Sequence, residues 1–296
     1  MAELSLVNEP NAQSVDQRPY TLYEYLYPSW NLLSIRPAAD VCQPYRVLQP
    51  DSPYLPPGQY LHPHNPGLVA LDLDSWVPAW YSSRDVKLAP RAPALGREHP
   101  LVTSPHRVLV DEQRICFFKP FKHGQDFVRE LSAFRTLHAA SIRGDLSQET
   151  RICRLHGLVR DVETGLEPSP WPRIIGMLLT PFIETEHQGI LGTLHCVAMG
   201  TRASVPLRHK WATQIENTVL ELHRAGCVWG DAKPLNVMVQ HPEGDAWLID
   251  FGGGYTRGWV DSNCQNSVDG DLQGVKRIAQ WLQTGALTGL HCLPVD

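Results

Sequence analysis

The sequence lacks the features that mark membrane-spanning, secreted and zinc-scaffold proteins. No apolar run in its 296 residues approaches the roughly 18 residues that a membrane-spanning helix needs. Residues 1–4 show no basic stretch followed by an apolar one, so no secretion signal is indicated. None of the seven cysteines forms a Cys-x-x-Cys pair, which argues against a zinc site or a disulfide framework. We therefore expect free thiols and a cytoplasmic or nuclear protein without a membrane partner.

Positive charge is also scarce. The chain carries 26 Lys and Arg against 31 Asp and Glu, a formal net charge of −5. Because a nucleic-acid backbone rewards clustered Lys and Arg, we do not expect nucleic acid as a partner. The hydrophobic fraction of 43% and the charged fraction of 19% are typical of a soluble globular protein.

Proline and tyrosine are concentrated at the front of the chain. Sixteen of the 25 prolines fall in residues 1–105, where they disfavour regular helices and central strands. Eight of the nine tyrosines lie between Tyr20 and Tyr81, together with Trp30, Trp76 and Trp80, whereas disordered segments are usually poor in aromatics. Residues 1–104 are therefore predicted to be a partly ordered extension whose aromatic side chains anchor it on the following domain. The alternative is that this segment binds a protein partner.

After residue 105 the spacing of apolar residues predicts regular elements. The order is strand-rich at first and helical later, with one small hairpin among the helices, which predicts an α+β fold. The predicted elements are strands over His106–Val110 and Arg114–Lys119, a helix over 126–139, strands over Arg151–Val159 and Ile174–Ile183, a helix over Lys210–Arg224, strands over Val237–Val239 and Ala246–Ile249, and a helix over Asp271–Thr284.

Each predicted helix has one apolar face that should point into the core. The predicted inner residues are Phe127, Leu131, Phe134 and Leu137 in the first helix, Trp211, Ile215, Val219 and Leu222 in the second, and Leu272, Val275, Ile278 and Leu282 in the third.

Four polar residues near the end of the chain suit phosphoryl transfer. The reaction needs a carboxylate that takes the proton of the incoming hydroxyl, a cation that offsets charge, and oxygen ligands for Mg²⁺. Asp231, Lys233 and Asn236 stand on one short segment, and Asp250 follows the next pair of predicted strands. A strand–turn–strand link would bring Asn236 and Asp250 towards one another.

Two motifs here are similar to those of the eukaryotic protein-kinase superfamily. The segment 231–236, Asp-Ala-Lys-Pro-Leu-Asn, resembles the kinase catalytic loop, and residues 250–252, Asp-Phe-Gly, resemble its metal-binding motif. The resemblance implies that Asp231 is the catalytic base and that Lys233 contacts the γ-phosphate of ATP. It also implies that Asn236 and Asp250 are the ligands of Mg²⁺.

The same resemblance extends upstream. It implies that Lys119, at the end of an apolar strand, holds the α- and β-phosphates, with Lys122 as the competing candidate. Glu130 on the next helix would be the ion-pair partner of that lysine. Backbone groups of Thr180 and Phe182 would bind the adenine edge in the hinge between two lobes.

The chain departs from the kinase pattern in four ways. No Gly-x-Gly-x-x-Gly precedes Lys119, and Trp229-Gly230 stands where kinases commonly have His-Arg. No Ala-Pro-Glu-like segment follows Gly252, and the sequence ends soon after the last predicted helix. The resemblance therefore implies an atypical two-lobed fold, with an N-lobe and hinge over residues 105–184 and a truncated helical C-lobe over 185–296.

These observations predict an ATP-dependent serine/threonine-type kinase that transfers the γ-phosphate to a hydroxyl of a protein. A pseudokinase scaffold that binds nucleotide or nothing remains an alternative, as does a kinase that acts on a small molecule. All the charged groups of the reaction are present, which favours activity.

Overall fold

The structure is a computed structural model with mixed α/β architecture, which is compatible with the predicted α+β class. Its central feature is a six-stranded sheet, and helices and a small two-stranded hairpin complete the part of the chain that bears the motifs. The structure describes residues 20–26, 32–38, 41–47, 66–89, 106–121, 124–161, 173–180, 192–200, 203–239 and 244–284.

The six-stranded sheet is antiparallel apart from one edge pair. Its strands are β3 (Trp80–Ser82), β4 (Lys87–Leu88), β5 (Arg107–Val110), β6 (Arg114–Pro120), β7 (Arg154–Arg160) and β8 (Ile174–Thr180). Their order in the sheet is β3-β7-β8-β6-β5-β4, and β3 runs parallel to β7. Burial alternates along β5, where Val108 and Val110 point into the core, as expected for a strand with one buried face.

The other elements are mostly helical. Strands β9 (Val237–Val239) and β10 (Ala246–Leu248) form the antiparallel hairpin that the sequence predicts. No helix among the described residues is long and apolar enough to cross a bilayer. The helices are α1 (Leu22–Leu26), α2 (Pro66–Val69), α3 (Gly124–Arg143), α4 (Leu194–Gly200), α5 (Val205–Arg224) and α6 (Val268–Thr284), and a separate hairpin joins β1 (Leu32–Ala38) to β2 (Val41–Val47).

The hydrophobic core has two parts. The larger part joins α3, α5 and α6 to β9 and β10, and it buries all eight inner-face residues predicted for the first two helices. The smaller part lies around α1, β4 and β5 and includes Leu22, Val86 and Phe118. The helical periodicity of the sequence was therefore a sound guide to the faces of α3 and α5.

The proline-rich segment contributes the edges of the sheet. Strands β3 and β4 both come from it, and each occupies an outer position, in keeping with the prediction that central strands would be scarce there. Trp76 is buried in the larger core, and its indole N–H donates to the carbonyl of Leu71 at 2.9 Å. Tyr20 and Tyr25 pack against the smaller core, whereas Trp30 lies outside the described residues.

Several predicted boundaries differ from the structure, and one falls outside the described residues. Helix α5 begins at Val205 rather than Lys210, because Ser204 caps it by accepting from the Leu207 amide and Pro206 suits the first turn. Strand β7 begins at Arg154, after an isolated bridge at Ile152. Strand β8 is described as far as Thr180, and the predicted continuation to Ile183 lies outside the described residues.

The predicted inner face of the last helix is wrong at its first position. Leu272 is 43% exposed, whereas the neighbouring Asp271 is 1% exposed. Helix α6 begins at Val268, three residues earlier than predicted, and Gly274, Val275 and Ile278 continue its buried face. The polar contacts of Asp271, described below, set this orientation, and a purely apolar pattern cannot reveal them.

We predict that Asp245 stabilises the fold in a pH-dependent way. Its carboxylate accepts from Gln214 and pairs with Arg151 and Lys210, and the hydrogen bond from Gln214 followed by these cations lowers its pKa to about 2. Because the folded-state pKa lies below the ordinary value, this stabilisation is present above about pH 4 and is lost as the pH falls towards 2.

Urea unfolding of Asp245→Asn should therefore show a loss of about 1 kcal/mol at neutral pH that shrinks on acidification. The matched control is Asp145→Asn, which removes the exposed pair between Arg143 and Asp145 and should cost less. A constant difference between wild type and Asp245→Asn across this pH range would contradict the assignment.

Candidate active site

The Lys119 ammonium joins three parts of the fold. Lys119 lies on β6, Glu130 on α3, and Asp250 directly after the β9–β10 hairpin. The Nζ atom of Lys119 lies 2.7 Å from Glu130 Oε2 and 2.7 Å from Asp250 Oδ1. The Glu130 side chain is 2% exposed, whereas that of Asp250 is 41% exposed. The structure thus brings together three residues that the sequence analysis singled out, two of them 131 positions apart.

Burial and charge act in opposite directions on this cluster. Burial alone would lower the pKa of Lys119, but the carboxylates of Glu130 and Asp250 outweigh it and raise that pKa. Burial raises the pKa of Glu130, and the Lys119 ammonium opposes the rise. Lys119 is therefore a fixed positive charge at neutral pH, placed beside a carboxylate that reaches solvent.

A second polar cluster surrounds Asp231. Its Oδ2 atom accepts from Lys233 Nζ at 2.5 Å, and its Oδ1 accepts from the Thr256 hydroxyl at 3.0 Å. Lys233 also donates to Thr256 Oγ1 at 2.9 Å. The Asn236 amide nitrogen donates to the backbone carbonyl of Asp231 at 2.9 Å, which leaves the amide oxygen as the atom of Asn236 suited to a metal. The predicted catalytic pair and the predicted ligand Asn236 are therefore neighbours in space.

The buried carboxylate of Asp271 holds the backbone of this loop. Its two oxygens accept from the amides of Trp229 and Gly230, each at 2.8 Å, and His223 lies 2.9 Å from Oδ2. Burial raises the pKa of Asp271, while His223 and the two backbone amides oppose the rise. Asp271 thus fixes the two residues that immediately precede Asp231.

The turn after β10 is held by several side chains. Asp250 has φ 63°, a left-handed conformation that Asp tolerates better than most residues. The ring of Phe251 packs edge-on against Phe134 of α3, with 5.7 Å between ring centroids. Arg129, also on α3, donates to the Gly252 carbonyl at 2.9 Å. This turn and helix α3 are therefore joined by packing and by a hydrogen bond, in addition to the Lys119 cluster.

Backbone contacts join the segments that carry the two clusters. The backbone amide of Ile249, next to Asp250, donates to the Asn236 carbonyl at 3.0 Å. Gly230 and Gly253 approach so closely that a Cβ added to Gly230 would lie 2.9 Å from Gly253 Cα. Gly230 also has φ 94°, so glycine is required beside Asp231 for both reasons.

The structure describes only one of the remaining residues that were predicted to contact the nucleotide. Thr180 ends β8 opposite Arg154, and its side chain is partly exposed. Phe182 and Lys122 lie outside the described residues. A cavity of about 160 Å³ lies on the side of α3 that faces β7, and Trp76, Phe134, His138 and Cys153 contribute to its wall.

Three residues of the site escaped the sequence analysis. Thr256 and Asp271 contact the Asp231 loop, as described above, and Asn266 Oδ1 accepts from the Gly254 amide at 3.0 Å. Asp271 was at the predicted start of a helix. Acidic residues are common there because they interact favourably with the helix dipole, so Asp271 did not attract attention. The signal available for Asn266 was its place in a polar stretch next to Ser267, which is too common to be informative.

The oxygen atoms of the site suit Mg²⁺. Asp250 offers a partly exposed carboxylate and Asn236 an amide oxygen, and Mg²⁺ prefers such ligands. No group of three or more His, Cys, Asp or Glu within the described ranges could hold a metal by itself. Mg²⁺ that is bound with phosphates usually takes only one or two protein ligands, so the chemistry of these two side chains would fit such an ion.

No protein-family model matches the chain, and no curated protein matches its sequence significantly.

We predict that Asp271→Ala destabilises the protein by about 3 kcal/mol, because it leaves two buried backbone donors without their acceptor. Urea unfolding measures the loss. The matched control is Asp269→Ala, which removes an exposed carboxylate from the same helical turn and should cost about 0.5 kcal/mol. Equal losses in the two variants would show that Asp271 does not support the loop.

Proposed function

We propose that this protein is an ATP-dependent phosphotransferase of the protein-kinase type. The observation that carries the proposal is the Lys119 ammonium bonded to both Glu130 and Asp250. Active protein kinases require a Lys–Glu ion pair between a sheet strand and a helix, together with an Asp for Mg²⁺. A chance match to the motifs alone would give no reason for these three side chains to be in contact.

The proposed fold is two-lobed. The six-stranded sheet with α3 would form the N-lobe, and α4 to α6 with the β9–β10 hairpin would form the C-lobe. In the antiparallel series β4, β5 and β6, Lys119 lies on the third strand, which is where kinases carry this lysine. The sheet topology and the ion pair therefore both support the proposal.

Each side chain then has a role set by its position. Lys119 holds the α- and β-phosphates, and Glu130 keeps that lysine in place. Asp231 orients the acceptor hydroxyl and takes its proton, while Lys233, bonded to Asp231 at 2.5 Å, lies where it can offset charge on the transferred group. Thr256 bonds to both residues and fixes their relative orientation. Backbone groups of Thr180 and Phe182 would contact the adenine.

Asn236 and Asp250 would hold Mg²⁺ through their oxygen atoms. When bound, the ion would neutralise charge on the β- and γ-phosphates. Asp250 keeps one carboxylate oxygen on Lys119, which leaves the other for this purpose.

A small-molecule acceptor is the second candidate. The resemblance places the activation loop of a protein kinase after Asp-Phe-Gly. Here only residues 253–267 separate Gly252 from α6, and Thr256 within them already bonds to Asp231. This short connection leaves little surface for a peptide and favours a compact acceptor.

Thermal unfolding with increasing Mg²⁺ and ATP tests the proposed nucleotide site. Ligand at a hundredfold excess over Kd should stabilise the protein by about 2.7 kcal/mol. Asp250→Asn should abolish the magnesium-dependent shift, because it removes a metal ligand. Asp231→Asn should retain the shift and lower γ-phosphate transfer by about 10²–10⁴-fold.

Radiolabelled γ-phosphate transfer to protein mixtures and to metabolite pools distinguishes the two acceptor classes. A nucleotide-dependent shift without transfer to either pool would identify a nucleotide-binding pseudokinase. No shift at millimolar Mg²⁺ and ATP would contradict the proposed function, and equal binding loss in both Asp variants would contradict the separate roles.

Lys119→Met is predicted to weaken nucleotide binding at least tenfold, or about 1.4 kcal/mol, because it removes the phosphate contact. A titration with a fluorescent ATP analogue measures Kd. Lys122→Met is the matched control, since it removes a lysine three positions along the chain, and its Kd should equal that of wild type. The reverse ranking would assign the phosphate contact to Lys122.

A further inference from the structure

The side chain of Asn266 fills the space between the two segments that form the site. Its Oδ1 atom accepts from the Gly254 amide at 3.0 Å. The same oxygen would overlap a Cβ placed on Gly253 and would lie 3.2 Å from one placed on Gly230. One amide group therefore bonds to the turn that follows Asp250 and lies close to Gly230, the residue that precedes Asp231.

The backbone at this position favours Asn. Asn266 has φ 54°, in the left-handed region that Gly, Asn and Asp adopt more readily than other residues. The residue is exposed overall, so apolar packing does not explain its presence. The position of its side chain depends on the left-handed backbone conformation and on one acceptor atom, Oδ1, which is directed at the turn of three glycines, residues 252–254 (the glycine turn).

Displacement of the glycine turn would affect Asp231 directly. A Cβ on Gly254 would lie 3.6 Å from Asp231 Oδ2, so Gly254 lies against the carboxylate proposed as the base. Two residues later, Thr256 donates to the same carboxylate at 3.0 Å. Asp250, which bonds to Lys119, stands at the start of the turn, and Arg129 of α3 donates to the Gly252 carbonyl.

We infer that Asn266 is a positioning residue that holds residues 253–256 against Asp231 and thereby controls turnover. The inference rests on the proposed function. The turn is held by two side chains, Arg129 on α3 and Asn266 before α6, and both lie close to Gly253. Because these contacts use side chains already present in the chain, the segment reaches its working position without an added phosphate group.

Three variants separate the hydrogen bond from the backbone conformation. Asn266→Asp keeps both the left-handed conformation and an acceptor oxygen. Asn266→Gly keeps the conformation and removes the acceptor. Asn263→Gly is the control, since Asn263 lies in the same connection and contacts the thiol of Cys264. Far-UV circular dichroism and thermal unfolding check that each variant folds.

The first measurement is Mg²⁺-ATP turnover. Asn266→Gly should lower kcat by roughly 10- to 100-fold, the scale of a misplacement of about 1 Å. KM for ATP should stay within about twofold of wild type, because the proposed nucleotide contacts are on other elements. Asn266→Asp and Asn263→Gly should retain wild-type kcat. Wild-type turnover in Asn266→Gly, or an equal loss in Asn266→Asp, would overturn the inference.

The second measurement does not depend on activity. Hydrogen–deuterium exchange of peptides covering residues 251–257 should be slow in wild type and in Asn266→Asp, and faster in Asn266→Gly. If wild type lacks turnover, the proposed function fails and exchange alone decides whether Asn266 holds the turn. Equal exchange in all the variants would overturn the positioning role, whether or not the protein transfers phosphate.

Discussion

The arrangement of the site depends on the two contacts of the Lys119 ammonium. This ammonium links the sheet to α3 through Glu130 and to the turn after β10 through Asp250. Glu130 is almost fully buried, and a buried carboxylate is costly unless a cation or hydrogen-bond donors compensate for it. Strand β6, helix α3 and the Asp250 turn therefore support one another, and loss of the cation would leave two carboxylates facing each other without a counter-charge.

A comparable constraint acts on the other side of the site. Asp271 is buried and accepts from the amides of Trp229 and Gly230, so helix α6 and the Asp231 loop hold each other in place. Thr256 adds a hydroxyl that contacts Asp231 and Lys233. The contacts of Asp271 and Thr256 join segments that are distant in sequence, and together they fix the geometry around Asp231.

The sequence predicted the elements whose signals are local. Apolar residues at helical spacing identified the buried faces of α3 and α5. Two short apolar runs on either side of a predicted turn identified the β9–β10 hairpin. The pair of Lys119 and Glu130 was expected from the resemblance to a known motif set, whereas the contact between Lys119 and Asp250 was not. Boundaries were less accurate, because the cap at Ser204 extends α5 beyond its apolar pattern.

The rest depends on contacts that no local pattern encodes. Leu272 was assigned to the core because it fits helical spacing, yet the bonds of Asp271 turn it towards solvent. Thr256 and Asn266 are common polar residues in irregular segments, and their roles exist only where two parts of the chain meet. The strands β3 and β4 are two or three residues long, too short to show alternation, and their pairing depends on longer neighbours.

The origin of β3 and β4 has a consequence for how the protein can be divided. Residues before position 90 cover both open margins of the sheet and contribute Leu22, Val86 and Leu88 to the smaller core. A fragment restricted to the motif-bearing residues would leave β5 and β7 with unpaired backbone groups, the arrangement that promotes edge-to-edge aggregation. The part of the chain that folds as a unit is therefore larger than the part that carries the motifs. Strands β3 and β4 make the proline-rich segment an integral part of the sheet.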